Sequence, residues 1–394
     1  MRVAFDGRSL SSPVLRGWDR NTVGLVGELV RQGIEVTLFH RASEPLHTPH
    51  VAGLNCRVLG LRDRGGLYWE QVGLPLALWR GRYDVFHAPA EHGVPLAAPC
   101  PVVLTIHSVT WHSYADMVRR GILPGRVRDY LGFNAQPNRR TPGGSYMQAQ
   151  IARADHILTP SDFCRREVMR FLRVPPERVT VTPLAVHEQF RKPPSASEVR
   201  AATLARLRIH VPYLIYVGGY EPHKNVAGLL AAFADVRSQC PQLSLVLVGT
   251  KTLPDVLLAR AESLHLSPHR DVRFLLNLTG ELTDLYDAAE MFVSLSWRET
   301  FCLPALEAMT RGLPVVASAW GATPEVVGAA GALVDPRNKE DAVRTILQIL
   351  SSTDGAVRRD RLKVRAGHFD WQSTASRTLA IYRWLLGRGK RMTG

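Results

Sequence analysis

The stretch Ser294 to Glu307, SLSWRETFCLPALE, leaves the short apolar run Met291 to Leu295 and enters a segment with a proline near its start. Met291 to Leu295 has the length and composition of a buried strand. Pro304 suits the first position of a helix, because its missing amide hydrogen would have had no partner there. The spacing predicts a strand, a loop and a helix beginning at Pro304, with Glu299 in the loop and Glu307 in the first helical turn. The amides of Thr300, Phe301, Cys302 and Leu303 then lie at or near a helix N-terminus, where partial positive charge favours a phosphate. Carboxylates beside a diphosphate would repel it unless they faced neutral hydroxyls, such as those of a sugar or ribose. The alternative is that Glu307 is an acid favoured by the helix dipole and Glu299 a solvated loop residue.

The same strand, loop and helix order recurs on both sides. Upstream, Val3 to Phe5, Glu35 to Phe39, Cys56 to Leu59, Asp84 to His87, Val102 to His107 and His156 to Thr159 read as strands. Arg20 to Arg31, Leu67 to Leu78 and Ser161 to Leu172 read as helices, the last with Ser161 as N-cap. The pattern lapses at Val186 to Ser197, VHEQFRKPPSAS, which reads as an interdomain linker. It restarts with strands Tyr213 to Val217, Leu243 to Val248, Val272 to Leu275, Met291 to Leu295 and Pro314 to Ser318. Helices Asn225 to Val236, Asp255 to Ser263, Glu281 to Ala289 and Pro304 to Arg311 alternate with them, and a Trp/Tyr/Leu-rich helix spans Ala375 to Leu386. Alternation of this kind predicts an α/β protein of two similar-sized domains, each a parallel sheet covered by helices. Residues 113–147 fit the alternation poorly. Arg119, Arg120, Arg126, Arg128, Arg139 and Arg140 stand there among glycines and prolines, as expected of a long excursion.

The length of 394 residues, with 45% hydrophobic and 21% charged residues, excludes a disordered, collagenous or coiled-coil chain. Lysine and arginine exceed the acids by 14, which points to an anionic partner. The five cysteines, Cys56, Cys100, Cys164, Cys240 and Cys302, are scattered without a CxxC pair, so neither a zinc site nor a disulfide framework is expected. Asp6 interrupts the N-terminus where a signal peptide needs apolar residues, and no apolar run approaches spanning length. A cytoplasmic protein, peripheral at most on the inner face of a membrane, is expected.

In open parallel sheets ligands bind where strands end and helices begin. At a second such junction, Gly218 and Gly219 break the strand and GGYEPHKN leads into a helix. The glycines let the backbone approach a ligand, Lys224 offers a point charge for phosphate oxygens, and His223 assists if protonated. A surface lysine lying along apolar neighbours is the alternative for Lys224. At a third, His107 ends an apolar strand in VVLTIHSVTWH, placed to accept a proton or donate a hydrogen bond to a sugar hydroxyl. His87 and His112 read as structural. A weaker junction puts Gly17 and Arg20 before the first helix.

Taken together, these segments resemble glycosyltransferase family 4. ETFCLPALEAMTRGLPVVAS, Glu299 to Ser318, is similar to the family's E-x7-E region and following strand. YVGGYEPHKN, TPSDFCRREVMRFLRVPPERVTVTPLAV, TIHSVTWH and YWEQVGLPLAL match in the right order. The resemblance implies the GT-B architecture, two Rossmann-like domains facing each other across a cleft. Residues 1–190 would bind the acceptor, 191–370 the nucleotide sugar, and 371–394 would pack back toward the first domain. It implies that Lys224 contacts the donor diphosphate, that Glu299 binds sugar hydroxyls, that the amides of residues 300–303 face the phosphates, and that Glu307 holds the ribose. His107 would lie near the donor sugar and acceptor. The chain departs from the family where RGWDR, Arg16 to Arg20, replaces a glycine-rich loop, where His223 replaces a frequent arginine, and where Ser108 follows His107 in place of aspartate.

The implied reaction is retaining transfer of a hexose from a nucleotide diphosphate sugar to an acceptor hydroxyl of a glycan, a lipid-linked saccharide or a small molecule. No cofactor or metal is expected; no D-x-D motif is present. The segment around Trp69, Glu70 and Pro75 is similar to relatives that use mannose or related deoxyhexoses. The excess charge is assigned to donor phosphates and to an anionic membrane or a lipid-linked diphosphate acceptor, with the arginines of 119–140 as the candidate contact and a solvated loop as the alternative reading of that segment. A nucleotide-sugar epimerase is the alternative enzyme; nucleic-acid binding is not expected, because the basic residues lack interleaved stacking aromatics.

Overall fold

In the computed structural model, which describes every residue except 14, 16, 127–141, 250–252, 279 and 393–394, the chain divides into two units. The first comprises Met1–Arg119, Gly125–Ala185 and Asp370–Gly394; the second comprises Arg120–Pro124 and Val186–Phe369. Both are Rossmann-like.

The first unit carries strands β1 (Arg2–Asp6), β2 (Glu35–Arg41), β3 (Arg57–Leu61), β4 (Val85–Ala88), β5 (Val102–Thr105), β6 (His156–Thr159) and β7 (Val179–Val181). They form one parallel sheet in the order β3-β2-β1-β4-β5-β6-β7. Its helices include α1 (Gly17–Arg31), α2 (Thr110–Arg119), α3 (Pro142–Arg153) and α4 (Asp162–Leu172). Successive residues of a strand face opposite sides of the sheet. Val3 and Phe5 therefore join one core with Leu25, Val26 and Leu29 of α1, while Ala4 joins the other with Trp69, Leu74 and Leu78. Ser161 caps α4 as expected, accepting from the amide of Cys164 at 3.0 Å.

The second unit has a six-stranded parallel sheet in the order β10-β9-β8-β11-β12-β13. Its strands are β8 (Tyr213–Val217), β9 (Ser244–Gly249), β10 (Val272–Leu276), β11 (Met291–Ser294), β12 (Val315–Ser318) and β13 (Ala332–Val334). The helices used below are α5 (Ser197–Leu207), α6 (Val226–Gln239), α7 (Leu282–Ala288), α8 (Leu303–Thr310), α9 (Lys339–Leu350) and α10 (Gly355–Gly367). The last helix, α11 (Trp371–Met392), belongs to the first unit. There Ala375, Leu379, Tyr382 and Leu385 enter the core beside α1. Gly24 makes that approach necessary: a methyl group at this position would lie 2.2 Å from the Trp371 ring.

Several elements differ from the sequence reading. The expected helix Leu67 to Leu78 runs over 66–81 and contains a π turn, Trp69–Gly73. The expected excursion at 113–147 is helical at both ends, because Ser113, Tyr114 and Met117 put a buried stripe on α2. The linker reading ends in a helix, α5, whose Thr203 and Leu207 are buried. The short strands β7 and β13 and the helices α9 and α10 were not read from the sequence, although Ala342, Val343 and Ile346 give α9 a buried stripe at helical spacing.

Candidate functional site

In a parallel sheet whose strand order reverses, the loops leaving the two strands at the reversal diverge and open a crevice at their carboxyl ends. In the second unit the reversal falls between β8 and β11, paired through Met291 with Leu214 and Phe292 with Ile215. Their exit loops are the two segments that sequence reading had singled out, 218–225 and 295–302.

Three contacts join these loops. The Lys224 ammonium donates to both carboxylate oxygens of Glu299 at 2.9 Å. The amide of Trp297 donates to the carbonyl of His223 at 2.8 Å. Asn225, at φ +53, turns its side-chain amide onto the carbonyl of Leu295 at 2.9 Å. Ser296 completes the setting of Glu299 by donating to Oε1 at 2.9 Å. Burial pulls the Lys224 pKa down, but the Glu299 charge and hydrogen bonds outweigh it and hold the ammonium above the ordinary lysine range. Lys224 is a paired interior cation, and the surface-lysine alternative does not hold.

His223 is a different matter. Burial and the charges of Lys224 and Arg298 push its pKa well below the usual value, so it is neutral at pH 7 and supplies no second cation. Gly218 donates its amide to Val248, continuing the sheet, so this amide is not turned to a ligand. Gly219 lies one residue on and accepts a hydrogen bond from the Tyr216 hydroxyl at 2.7 Å.

Helix α8 opens at Leu303, one residue before Pro304, with Cys302 at its N-cap. Cys302 holds φ +72, a left-handed conformation that costs a non-glycine residue about 1–2 kcal/mol and is typical of functional loops. Its thiol is inert: burial and the Glu299 charge push the pKa up to about 12. Among the described residues no protein acceptor is assigned to the amides of Phe301, Cys302 and Leu303, which stand at the positive end of α8. Thr300 is in the same turn and has hydrogen-bonding or electrostatic partners of its own.

Glu307 does not fall in the first turn as expected. Counting from Leu303 it occupies the second, where it is 1% exposed and accepts from the Tyr286 hydroxyl of α7 at 3.0 Å. Glu299 and Lys224 are drawn together; Glu307 is anchored separately by Tyr286.

Sequence reading missed Gly321. It holds φ +71, and a methyl group there would sit 2.7 Å from both the backbone nitrogen and oxygen of Glu299. The neighbouring Ala322 amide donates to the Glu299 carbonyl at 2.9 Å. The loop after β12 is thus the floor on which Glu299 rests.

In the first unit the reversal lies between β1 and β4. His107 follows β5, is buried, and is oriented by groups the sequence did not mark. The amides of His107 and Ser108 donate to Glu91 Oε1 at 2.9 and 2.8 Å. Nε2 lies 3.0 Å from the Pro89 carbonyl, which can only accept, so Nε2 carries the proton and Nδ1 keeps its lone pair. Burial lowers the His107 pKa despite Glu91, the Pro89 carbonyl and Asp19, leaving a neutral acceptor. His87, expected to be structural, bridges Tyr382 at 2.6 Å and Thr105 at 2.7 Å and is fully buried. Gly17 is the first residue of α1; Arg16 lies outside the described residues, as do Arg128, Arg139 and Arg140. Among the described residues no cluster of three or more His, Cys, Asp or Glu could hold a metal ion, and no helix is long and apolar enough to cross a membrane.

Comparison with known proteins agrees with this division. Residues 16–190 match the family model described as Glycosyltransferase Family 4, and residues 207–366 match Glycosyl transferases group 1. O-antigen chain mannosyltransferase B of Escherichia coli is 34% identical over 235 residues, 58% of this chain and 60% of that protein. A serotype-specific mannosyltransferase of the same organism is 30% identical over 254 residues, 61% of this chain and 30% of the relative. The aligned regions thus span less than two thirds of each of those relatives. The D-inositol 3-phosphate glycosyltransferase of Salinispora arenicola is 27% identical over 398 residues, 90% of this chain and 84% of that one. The fold is shared with sucrose-phosphate synthase from Thermosynechococcus elongatus, at TM-score 0.73 and 21% identity over 98% of this chain and 100% of that chain. It is also shared with Anabaena HepE in complex with UDP and glucose, at TM-score 0.70 and 17% identity over 97% and 99%. With one family model on each half and the two-Rossmann GT-B fold beneath them, the chain belongs to the family 4 glycosyltransferases.

Proposed function

We propose that this protein transfers a hexose from a nucleotide diphosphate sugar to a hydroxyl of a glycan, lipid-linked saccharide or small molecule, with retention at the anomeric carbon. The observation that carries this reading is the Lys224–Glu299 pair at the strand-order reversal of the second sheet, beside the amides that open α8, to which no protein acceptor is assigned among the described residues. At rest the carboxylate holds the ammonium in position. When a diphosphate arrives, Lys224 exchanges one anion for another, and Glu299 is released to accept hydrogen bonds from sugar hydroxyls. Amides of Phe301, Cys302 and Leu303 take phosphate oxygens at the positive end of the helix. These donors are oriented before the leaving group develops charge, which is the condition under which electrostatic stabilisation is most effective. A fixed ammonium and a helix N-terminus supply the charge that a divalent cation would otherwise bring, so we propose a metal-independent transfer.

Glu307, kept in place by Tyr286, is assigned to the ribose. In the first unit, His107 is assigned a place near the donor sugar and acceptor, its unprotonated Nδ1 accepting from a neighbouring hydroxyl that does not react. Leaving diphosphate oxygens, on the face where the sugar departs, accept the acceptor proton and yield retention. Mannose is the leading sugar, supported by the Trp69, Glu70 and Pro75 segment and by the names of the Escherichia coli relatives. The reaction is assigned to the cytoplasm.

Thermal-shift screening against a panel of nucleotide sugars tests the donor, since a ligand that binds only the folded state raises its melting temperature. A stabilising nucleotide hexose whose transfer product keeps the donor's anomeric configuration is expected. An inverted product, or no stabilisation by any nucleotide sugar, overturns the proposal.

A further inference from the structure

We infer that the outer face of the helical segment 66–81 docks the first unit onto an anionic bilayer surface. Along this segment Leu67, Val72, Leu76 and Trp79 are exposed, Leu67 at 65% and Trp79 at 67%. Their spacings are five, four and three residues. On the opposite side Trp69, Leu74 and Leu78 are buried, at spacings of five and four. Five residues of α-helix turn through roughly 500°, about 140° out of line. The π turn at Trp69–Gly73 absorbs the additional residue, so both stripes stay straight. One device thus seats the inner stripe in the core and leaves an unbroken apolar stripe in water. Leu96, also exposed, is tied beside it by its amide hydrogen bond to Gln71 at 2.9 Å.

The charge around the stripe selects its occupant. Arg57, Arg62, Arg64, Arg80 and Arg82 lie between residues 57 and 82. The carboxylates of Asp63 and Glu70 in that interval are occupied, Asp63 with Arg41 at 3.4 Å and Glu70 with Arg8 at 2.8 Å. Among the described residues Arg57, Arg62, Arg80 and Arg82 have no carboxylate partner. At one end of the stripe Trp79, Arg80, Arg82, Tyr83 and Pro99 line a groove of about 490 Å³ that combines an apolar wall with two guanidinium groups. A second copy of the same face would set arginine against arginine. An anionic bilayer satisfies both features: Trp and Leu enter the boundary between headgroups and acyl chains while arginines meet lipid phosphates. Isolated exposed apolar residues are ordinary; a straight stripe of four that ends beside Arg80 and Arg82, with Arg64 over the Tyr68 ring, is not.

The inference does not depend on the transfer reaction, because vesicle binding needs no donor; the two readings fail separately. Co-sedimentation is measured with vesicles of phosphatidylcholine alone and of phosphatidylcholine mixed with phosphatidylglycerol, at low and high salt. The wild type is expected to pellet with the anionic vesicles at low salt and to be released by salt. Leu76→Ser with Trp79→Ser, and separately Arg80→Glu with Arg82→Glu, are each expected to weaken partitioning about tenfold or more while leaving circular dichroism and thermal shift by nucleotide sugar unchanged. Wild type that stays in the supernatant, or variants that pellet like it, overturn the inference. So does light scattering that shows a dimer which Leu76→Ser with Trp79→Ser dissociates, since the face then belongs to a second copy.

Discussion

Replacing Gly321 with alanine tests how closely the Glu299 loop is fixed. The new methyl carbon would stand 2.7 Å from the backbone nitrogen and oxygen of Glu299, whereas ordinary contact begins at 3.4 Å. One of the two loops must therefore retreat by about 0.7 Å, the difference between those two distances. Alanine at φ +71 adds about 1 kcal/mol or more of backbone strain, and overpacking typically adds a further 1–3 kcal/mol. For a unit of this size each kcal/mol lowers Tm by roughly 2–4 °C, so a fall of about 4–16 °C is expected by differential scanning calorimetry. The displacement acts on the carboxylate that positions Lys224, and an error near 1 Å in catalytic geometry costs on the order of 100-fold. We expect kcat/KM to fall by about 10- to 100-fold at a temperature where the variant is fully folded. Gly355→Ala is the control, because no atom lies within 4 Å of the added methyl and its φ is not left-handed. Wild-type Tm and turnover in Gly321→Ala would refute the reasoning.

Lys224→Ala leaves Glu299 without its cation and should lower kcat/KM by about 1000-fold or more in a donor-saturation assay, while Glu299→Gln should recover none of that loss in the double variant. Tyr286→Phe removes a hydroxyl from the buried Glu307 carboxylate and should cost about 1–3 kcal/mol in urea denaturation, with donor KM rising more than kcat falls. Glu91→Gln weakens the anchor of the His107 and Ser108 amides and should reduce kcat with little change in donor affinity, as read by thermal shift with the donor nucleotide. His87 is held neutral by burial, with His107 nearby, at a pKa of about 3 against an ordinary 6.5, so the unfolded chain takes up the proton first. Its contribution is fully present above pH 6.5 and is lost progressively from there down to about pH 3; between pH 7.5 and 5 it amounts to about 2 kcal/mol. Chemical denaturation should show that slope in the wild type and a flatter one in His87→Gln.

The strands around the candidate site were legible because a parallel strand buried on both faces must be an uninterrupted apolar run, as in Tyr213–Val217 and Met291–Ser294. The junction after each is equally local, since glycine, proline and lysine carry their backbone and charge properties with them. The position of Glu307 was misjudged by one residue of helix register: a proline is tolerated at the second helical position as well as the first, because the early amides all lack partners. Gly321 and Glu91 escaped notice for another reason. Each acts on a segment distant in sequence, Gly321 on Glu299 and Glu91 on His107, and neither carries a local pattern that names its target. The π turn is visible afterwards in the buried spacing of Trp69, Leu74 and Leu78, but a search at helical period passes over a step of five. His223 shows a limit of residue type: histidine was identified, but its charge state depends on burial that only the folded neighbourhood supplies.

The assignment of α11 to the first unit has a consequence for how the polypeptide matures. Tyr382 supplies the hydroxyl that satisfies His87, and Ala375, Leu379 and Leu385 fill the space beside α1. During synthesis, residues 1–185 emerge long before these partners and must wait with an open flank on their sheet. The second unit, continuous from Val186 to Phe369 except for a five-residue contribution, can reach its native state in the meantime. The first unit is thus begun first and completed last. A fragment ending at the linker would lack the Tyr382 hydroxyl on His87 and the Ala375, Leu379 and Leu385 side chains beside α1, whereas a fusion joining residues 1–185 directly to 370–394 would restore them.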